Sequence, residues 1–338
     1  MKHSTYHYIM GLLATCLLSA TFAGCTREAD EPAADGRTAT IRLDIPMLEA
    51  ATRITTPTKE QESAIHTLRV IIESDGTTTI NQEFKDLTSG SFITIDNVPV
   101  GQVQMYVIAN EASLGKDYSD LAKLQADIEP ETRKVHIHDD GHQYFPKRGS
   151  EIDFTTKGLP MEWMGQLTID PPTDTPQAIE VNLVRAVAKL NITMNNALSD
   201  PITINSMSFG PFFGDCLYLF HTSSLDVPDD TKYDEMSYTE NINIPIEGNS
   251  SETLALYIYP SFAWKDAGQA SPYTIGFTTE SGGIYTPLPF VNNYGALNSI
   301  ARNTQVNINA TLRTDTHIEI AFEVVPWEQN TVDVPSFN

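Results

Sequence analysis

Positive charge is scarce in this chain: 21 Lys and Arg stand against 44 Asp and Glu in 338 residues, a formal net charge of −23. So acidic a chain does not suit a phosphate backbone or anionic lipid met through a basic patch, so no nucleic-acid partner is expected. Long apolar runs are also missing. The N-terminal one, Tyr8 to Leu18, is far short of the roughly 20 residues a spanning helix needs. No nucleophile elbow, no HExxH and no phosphate-binding loop is present, so neither enzymatic chemistry nor a cofactor is expected. Cysteine is nearly absent, limited to Cys16, Cys25 and Cys216.

What is present begins at the N-terminus. Lys2, the apolar run and the small residues of Ser19-Ala20-Thr21-Phe22-Ala23-Gly24 before Cys25 have the three-part layout of a secretory signal. The site resembles a bacterial lipoprotein lipobox, which implies that residues 1–24 are removed and that the Cys25 thiol carries a diacylglycerol. Acyl chains such as palmitate, at roughly 0.8 kcal/mol per buried CH₂, make a durable anchor when several act together. Without residues 1–24 the chain keeps 20 Lys and Arg against 44 Asp and Glu, a net charge of −24. With Cys16 removed and Cys25 acylated, Cys216 has no partner within the chain, so no disulfide is expected. Its neighbours Leu217, Tyr218, Leu219 and Phe220 predict a buried, inert thiol. The fold must rest on its core.

The remaining pattern is that of short strands. Residues 26–37 are polar and read as a tether. Thr38 to Ile45 then alternates, with Ala39, Ile41, Leu43 and Ile45 on one face, which predicts a half-buried strand. Leu48 to Gln61 reads as a loop. Leu68 to Ile72 and Thr77 to Phe84 flank Asp75-Gly76 and predict a hairpin. Phe92 to Ile95 and Val103 to Ala109 are further strands. One helix is predicted over Tyr118 to Ile128, with Ser119 as its cap and Leu121, Leu124 and Ile128 on one face. Val135 to Phe154 reads as short strands, and Gly158 to Pro176, with its prolines, as a connector. Strands are predicted again across Ile179–Met194, Ile202–Phe209, Leu217–Phe220, Ile242–Ile246, Leu254–Tyr259, Tyr273–Phe277, Ile284–Val291, Val306–Leu312 and Ile318–Val325. Such a series predicts an all-β, mainly antiparallel fold of sandwiches with one short helix.

Several segments together resemble the fimbrillins, the pilus subunits of Bacteroidetes (type V pili). They are the lipobox with the alternating strand Thr38 to Ile45 and Arg53; Asn97-Val-Pro-Val-Gly101 leading into Tyr106-Val-Ile-Ala-Asn-Glu111; Leu183-Val-Arg-Ala-Val-Ala-Lys-Leu190; and Ile300-Ala-Arg-Asn303 with Val324-Val-Pro-Trp327. The resemblance implies two tandem, transthyretin-like β-sandwich domains, placed here at residues 54–184 and 185–338, after a removable piece at 25–53. It also implies a life history. The lipidated precursor reaches the outer membrane, and an arginine-specific surface protease cuts after Arg53 and leaves Ile54 as the new N-terminus. Arg42 lies inside the strand, and cutting at Arg37 leaves the strand in place. Loss of the plug strand (Ala39, Ile41, Leu43, Ile45) then opens a groove that another fimbrial subunit fills by strand addition. The C-terminus alternates as a donor does, through Ile318, Ile320, Phe322 and Val324 and then Val332 and Val334; Ile318 to Val325 reads equally as the last core strand of its own domain. The implied function is a structural subunit, shaft or tip, of an extracellular pilus supporting adhesion to host or bacterial surface ligands. The alternative is a surface lipoprotein that keeps its lipid, as a pilus anchor or a glycan-binding protein.

Three other groupings point elsewhere. His136, His138, Asp139, Asp140 and His142 have metal-ligand chemistry but no spaced fourth ligand, and Asp226, Asp229, Asp230, Asp234 and Glu235 form an acidic loop without the glycine of a calcium-binding hand, so no metal is expected. Tyr257, Tyr259, Phe262 and Trp264 suit a sugar platform if exposed, and a strand plus a loop covering an edge if not.

Overall fold

The computed structural model describes residues 37–45, 57–85, 87, 92–128, 134–136, 145–220, 227–238, 242–264, 268–314 and 317–327. In chain order the first half contains β1 (Thr38–Asp44), α1 (Lys59–Glu62), β2 (Thr67–Ser74), β3 (Thr77–Lys85), β4 (Ile93–Pro99), β5 (Gly101–Ala109), α2 (Leu121–Ile128), β6 (Lys134–His136), β7 (Lys147–Arg148), β8 (Met161–Ile169), β9 (Gln177–Glu180) and β10 (Val184–Arg185). The second half contains β11 (Ala188–Asn196), β12 (Ile202–Gly214), β13 (Cys216–Tyr218), β14 (Tyr233–Tyr238), β15 (Ile244–Ile246), β16 (Ser251–Ile258), β17 (Thr274–Thr279), β18 (Ile284–Pro289), β19 (Val291–Asn292), β20 (Gly295–Ala296), β21 (Thr304–Leu312) and β22 (Ile318–Pro326).

The strands form two sandwiches. In the first, a sheet of order β4-β1-β9 packs on one of order β10-β8-β5-β2-β3. Their facing side chains, among them Ile41, Leu43, Val70, Ile95, Val107 and Ile179, make one core. In the second, β22-β21-β11-β16-β7 packs on β14-β12-β17-β18, around Leu190, Ile192, Phe212, Leu256, Phe277 and Ile308. Most pairings are antiparallel, as predicted; β1 with β9 and β11 with β21 run parallel.

A third core joins the sandwiches. β5 turns Val103, Met105 and Val107 into the first core, and Tyr106 and Ile108 outward. β16 likewise turns Leu256 and Ile258 into the second core, and Ala255 and Tyr257 outward. The outward sets meet, with Phe154, Phe220 and Trp327 between them. Burial of alternate residues on both faces explains why Leu254 to Tyr259 reads as a continuous apolar run rather than an alternating one.

Four local expectations are corrected. The stretch taken as a connector contains β8, which pairs with β5 over its whole length from Gly101–Ile169 to Ala109–Met161. Gly165 interrupts its pattern because the Trp163 indole lies where a Cβ would stand, 2.6 Å from its Cη2. The acidic loop contains β14, an edge strand whose half-buried residues Tyr233, Met236 and Tyr238 fall out of strict alternation at a register shift, where Asp234 and Glu235 are exposed. The loop over Leu48 to Gln61 ends in α1, where Thr58 and Gln61 form a reciprocal capping box. At α2 the capping carboxylate belongs to Asp120, which accepts from Ala122 N at 3.0 Å, rather than to Ser119. No helix among the described residues is long and apolar enough to cross a membrane.

Candidate functional site

β1 lies at the centre of its sheet. On one side it pairs antiparallel with β4, Ile41 opposite Ile95 and Leu43 opposite Ile93; on the other it pairs parallel with β9, Leu43 opposite Ile179. Among the described strands neither β4 nor β9 pairs with any other, so β1 alone makes them a sheet. Ladder bonds continue past both ends, with Val100 N donating to Arg37 O at 3.0 Å and Val181 N to Asp44 O at 3.1 Å.

The side chains follow the alternation. Ile41 and Leu43 are 0% exposed, and Ala39 and Ile45 are buried beside them. The outer face carries short-range polar contacts: Thr40 donates to Asp96 at 2.8 Å, and Arg42 pairs with Asp44 at 2.8 Å while lying over Phe92. Such surface pairs contribute little. The strand is therefore held by backbone ladders and four apolar side chains, of which the large ones give roughly 1.5–3 kcal/mol each. Residues 46–56, which include Arg53 and Ile54, lie outside the described residues, as does Cys25.

Just beyond Pro57, α1 brings a carboxylate into the body of the molecule. Glu62 is buried where the two sandwiches meet and accepts from Lys189 Nζ at 2.6 Å, from the Tyr257 hydroxyl and from Trp327 Nε1 at 2.9 Å. The Trp327 ring stacks on Tyr257, and the Arg185 guanidinium sits 4.5 Å above it. Arg185 also donates to Glu62 O at 3.0 Å and Ser63 Oγ at 2.6 Å, and burial lowers its pKa to about 10. A second tie lies nearby. Glu162 of β8 pairs with Arg302, accepts from Phe220 N, and has its pKa raised by burial. Arg302 donates onward to Tyr218 O at 2.7 Å.

The predicted donor residues divide. Ile318 and Ile320 are buried in the second core, Phe322 is half-buried and Val324 exposed; all four lie on β22, which pairs with β21 along its whole length at the edge of its sheet. Trp327, just beyond, is held in the junction, and Val332 and Val334 lie outside the described residues. The structure thus places Ile318 to Val324 as the home strand of its own sandwich.

The remaining groupings gain no support. Tyr257 and Tyr259 are buried, so they make no exposed platform with Phe262 and Trp264. His136 sits on a two-stranded pairing with Cys216 to Tyr218, while His138, Asp139, Asp140, His142 and Asp226 lie outside the described residues. Among the described residues no group of three or more His, Cys, Asp or Glu is placed to hold a metal ion. Cys216 is buried, and burial raises its thiol pKa to about 11. The junction itself was not anticipated from sequence. Its only signal was a cluster of charged residues inside apolar motifs, Arg185 and Lys189 in one and Arg302 in another.

Comparison with known proteins adds to this geometry. A protein-family model described as fimbrillin-A associated anchor proteins Mfa1 and Mfa2 matches residues 50–333. No curated protein sequence matches the chain closely enough to count as a relative. Among solved structures, a protein assigned to cell adhesion from Parabacteroides distasonis is similar at 13% identity and a TM-score of 0.51, over 88% of this chain and 99% of that one. One assigned to cell adhesion from Bacteroides eggerthii also gives 13% and 0.51, over 86% and 97%. A fimbrilin from Porphyromonas gingivalis gives 11% identity and 0.50, over 86% and 98%. At these identities the structures speak to fold.

Proposed function

The chain belongs to the family of fimbrillin-A associated anchor proteins Mfa1 and Mfa2, and from that premise we propose that it is a fimbrial subunit whose first strand is a removable plug. The precursor is exported and acylated at Cys25 and reaches the outer membrane. An arginine-specific protease cuts after Arg53. A strand from another subunit then displaces β1 and takes its place between β4 and β9. The role is structural and adhesive rather than catalytic.

One observation carries the reading. Among the described strands β1 is the sole bridge between β4 and β9, and it carries an ion pair, Arg42 with Asp44, that is internal to the strand and exposed. Its loss leaves two strands with unsatisfied backbone edges beside an apolar floor, which is the geometry that strand addition requires. The donor on this reading is the segment after Trp327, with Val332 and Val334, because Ile318 to Val324 is occupied at home.

A second reading is favoured by the family description, which names anchor proteins. In that case the chain retains its lipid and Arg53 stays intact. Sequencing the N-terminus of the protein recovered from cells decides between them. Ile54 as the free N-terminus supports the subunit; a blocked Cys25 supports the anchor. An Arg53→Ala variant that still enters fibres normally excludes this cut site.

A further inference from the structure

The second sandwich has an open flank that the strand-exchange reading does not use. β22 and β18 are both edge strands there, and the β19–β20 hairpin lies across β22. Between the hairpin and β22 is a cleft of about 420 Å³, within the size range of small-ligand sites. Its polar lining is Asn292, Tyr294, Asn298 and Ser299, and its apolar lining includes Phe322 and Val324. None of the residues that line it is charged, in a chain of net charge −23.

The hairpin holds an aromatic ring out in water. Tyr294 is 98% exposed, an expensive place for a ring that usually packs at least one face. Its position is set by the turn: Tyr294 N donates to Asn292 Oδ1 at 2.9 Å, and Gly295 closes the turn at φ +126°, where a side chain is strained. Asn298 Oδ1 accepts from Ser299 Oγ at 2.9 Å, and among the described residues no hydrogen bond engages the amide N–H groups of Asn292 or Asn298.

The flank does not suit a peptide strand. β22 carries Glu319 and Glu323 on its exposed face, and β18 carries Pro287 and Pro289, which have no N–H to give to a ladder. Edges of this kind resist strand addition. A charge-free cleft likewise offers no counter-ion to an acidic or basic ligand. What remains is a neutral molecule with one apolar face and many hydroxyls.

We propose that this cleft binds a neutral carbohydrate. The C–H face of a pyranose stacks on Tyr294, and its hydroxyls pair with the Asn292 and Asn298 amides and the Ser299 hydroxyl. The site lies on the second sandwich, whereas β1 belongs to the first.

The test uses the whole mature chain on an array of neutral hexose and N-acetylhexosamine oligosaccharides, with sialylated and sulfated ones alongside. A bound neutral oligosaccharide is then titrated against Tyr294→Ala, Tyr294→Phe and Asn298→Ala. The expected result is about a tenfold loss for Tyr294→Ala, retention by Tyr294→Phe, and an unchanged Tm for all three. The proposal is overturned if no neutral oligosaccharide binds, if only charged ones do, or if Tyr294→Ala binds as well as the wild type. It is equally overturned if a synthetic peptide of residues 328–338 occupies the cleft instead.

Discussion

Glu62 shows how much one side chain does at the junction. It takes an ammonium, a phenol and an indole N–H from three separate strands or strand ends, and it does so in the first described turn after the predicted cut. Replacing it with alanine strands Lys189 as an uncompensated buried charge, and breaking a buried pair in this way costs about 3–5 kcal/mol. Glu62→Ala is therefore expected to lower the urea midpoint strongly, whereas Trp327→Phe, which keeps the stack and loses one hydrogen bond, costs about 1 kcal/mol from that bond. Equal effects from the two would show that packing, not the carboxylate, holds the junction. Cys216 gives a second residue-scale prediction. Its folded thiol pKa is raised from 9.0 to about 11, so the folded state holds its proton more tightly than the unfolded chain. That stability is complete below pH 9.0 and is lost as pH rises through about 11. In a soluble chain starting at Thr26, urea midpoints should fall between pH 8.5 and about 11, less so in Cys216→Ala. An identical decline in both assigns the loss to other groups, such as Tyr273, whose pKa burial raises to about 12.

At the scale of elements, β1 is a strand whose sequence alternation and structural burial agree residue by residue. Leu43→Ala is expected to cost about 2–5 kcal/mol, and Thr40→Ala on the outer face within about 0.5 kcal/mol. Denaturant unfolding of the uncut precursor checks both, and a neutral Leu43→Ala would mean that the strand's side chains do not hold it. The β2–β3 hairpin was equally legible, because Asp75 and Gly76 both adopt positive φ at its turn. β8 and β14 were not. β8 sits between two cores, so Glu162 and Gly165 interrupt a pattern that only the partners Arg302 and Trp163 explain. β14 is an exposed edge, where acidic residues cost nothing and hide the period. The motifs themselves are legible only through their partners: Arg185 and Lys189 meet Trp327 across the chain, and Arg302 meets Glu162 in a second tie.

For the whole molecule, the contrast is between a body tied by buried ion pairs and a strand that, among the described residues, is held by ladders and apolar side chains. Cutting after Arg53 leaves a body with 16 Lys and Arg against 38 Asp and Glu, a net charge of −22. That body contains the junction residues Glu62, Arg185 and Trp327, all of which lie beyond Arg53. The body should therefore keep its fold while β1 remains seated by its ladders until another strand displaces it. Two such bodies repel each other, and that repulsion is screened over about 10 Å at 0.1 M salt and about 30 Å at 0.01 M. Assembly of trypsin-trimmed protein is thus expected to accelerate as NaCl is raised from about 0.01 to 0.15 M, while uncut Arg53→Ala protein stays monomeric at both. Light scattering after trimming gives the rate directly. A rate that falls with salt would mean that an attractive charge pair, not an apolar groove, drives the encounter, and assembly of the uncut variant would mean that β1 is not the plug.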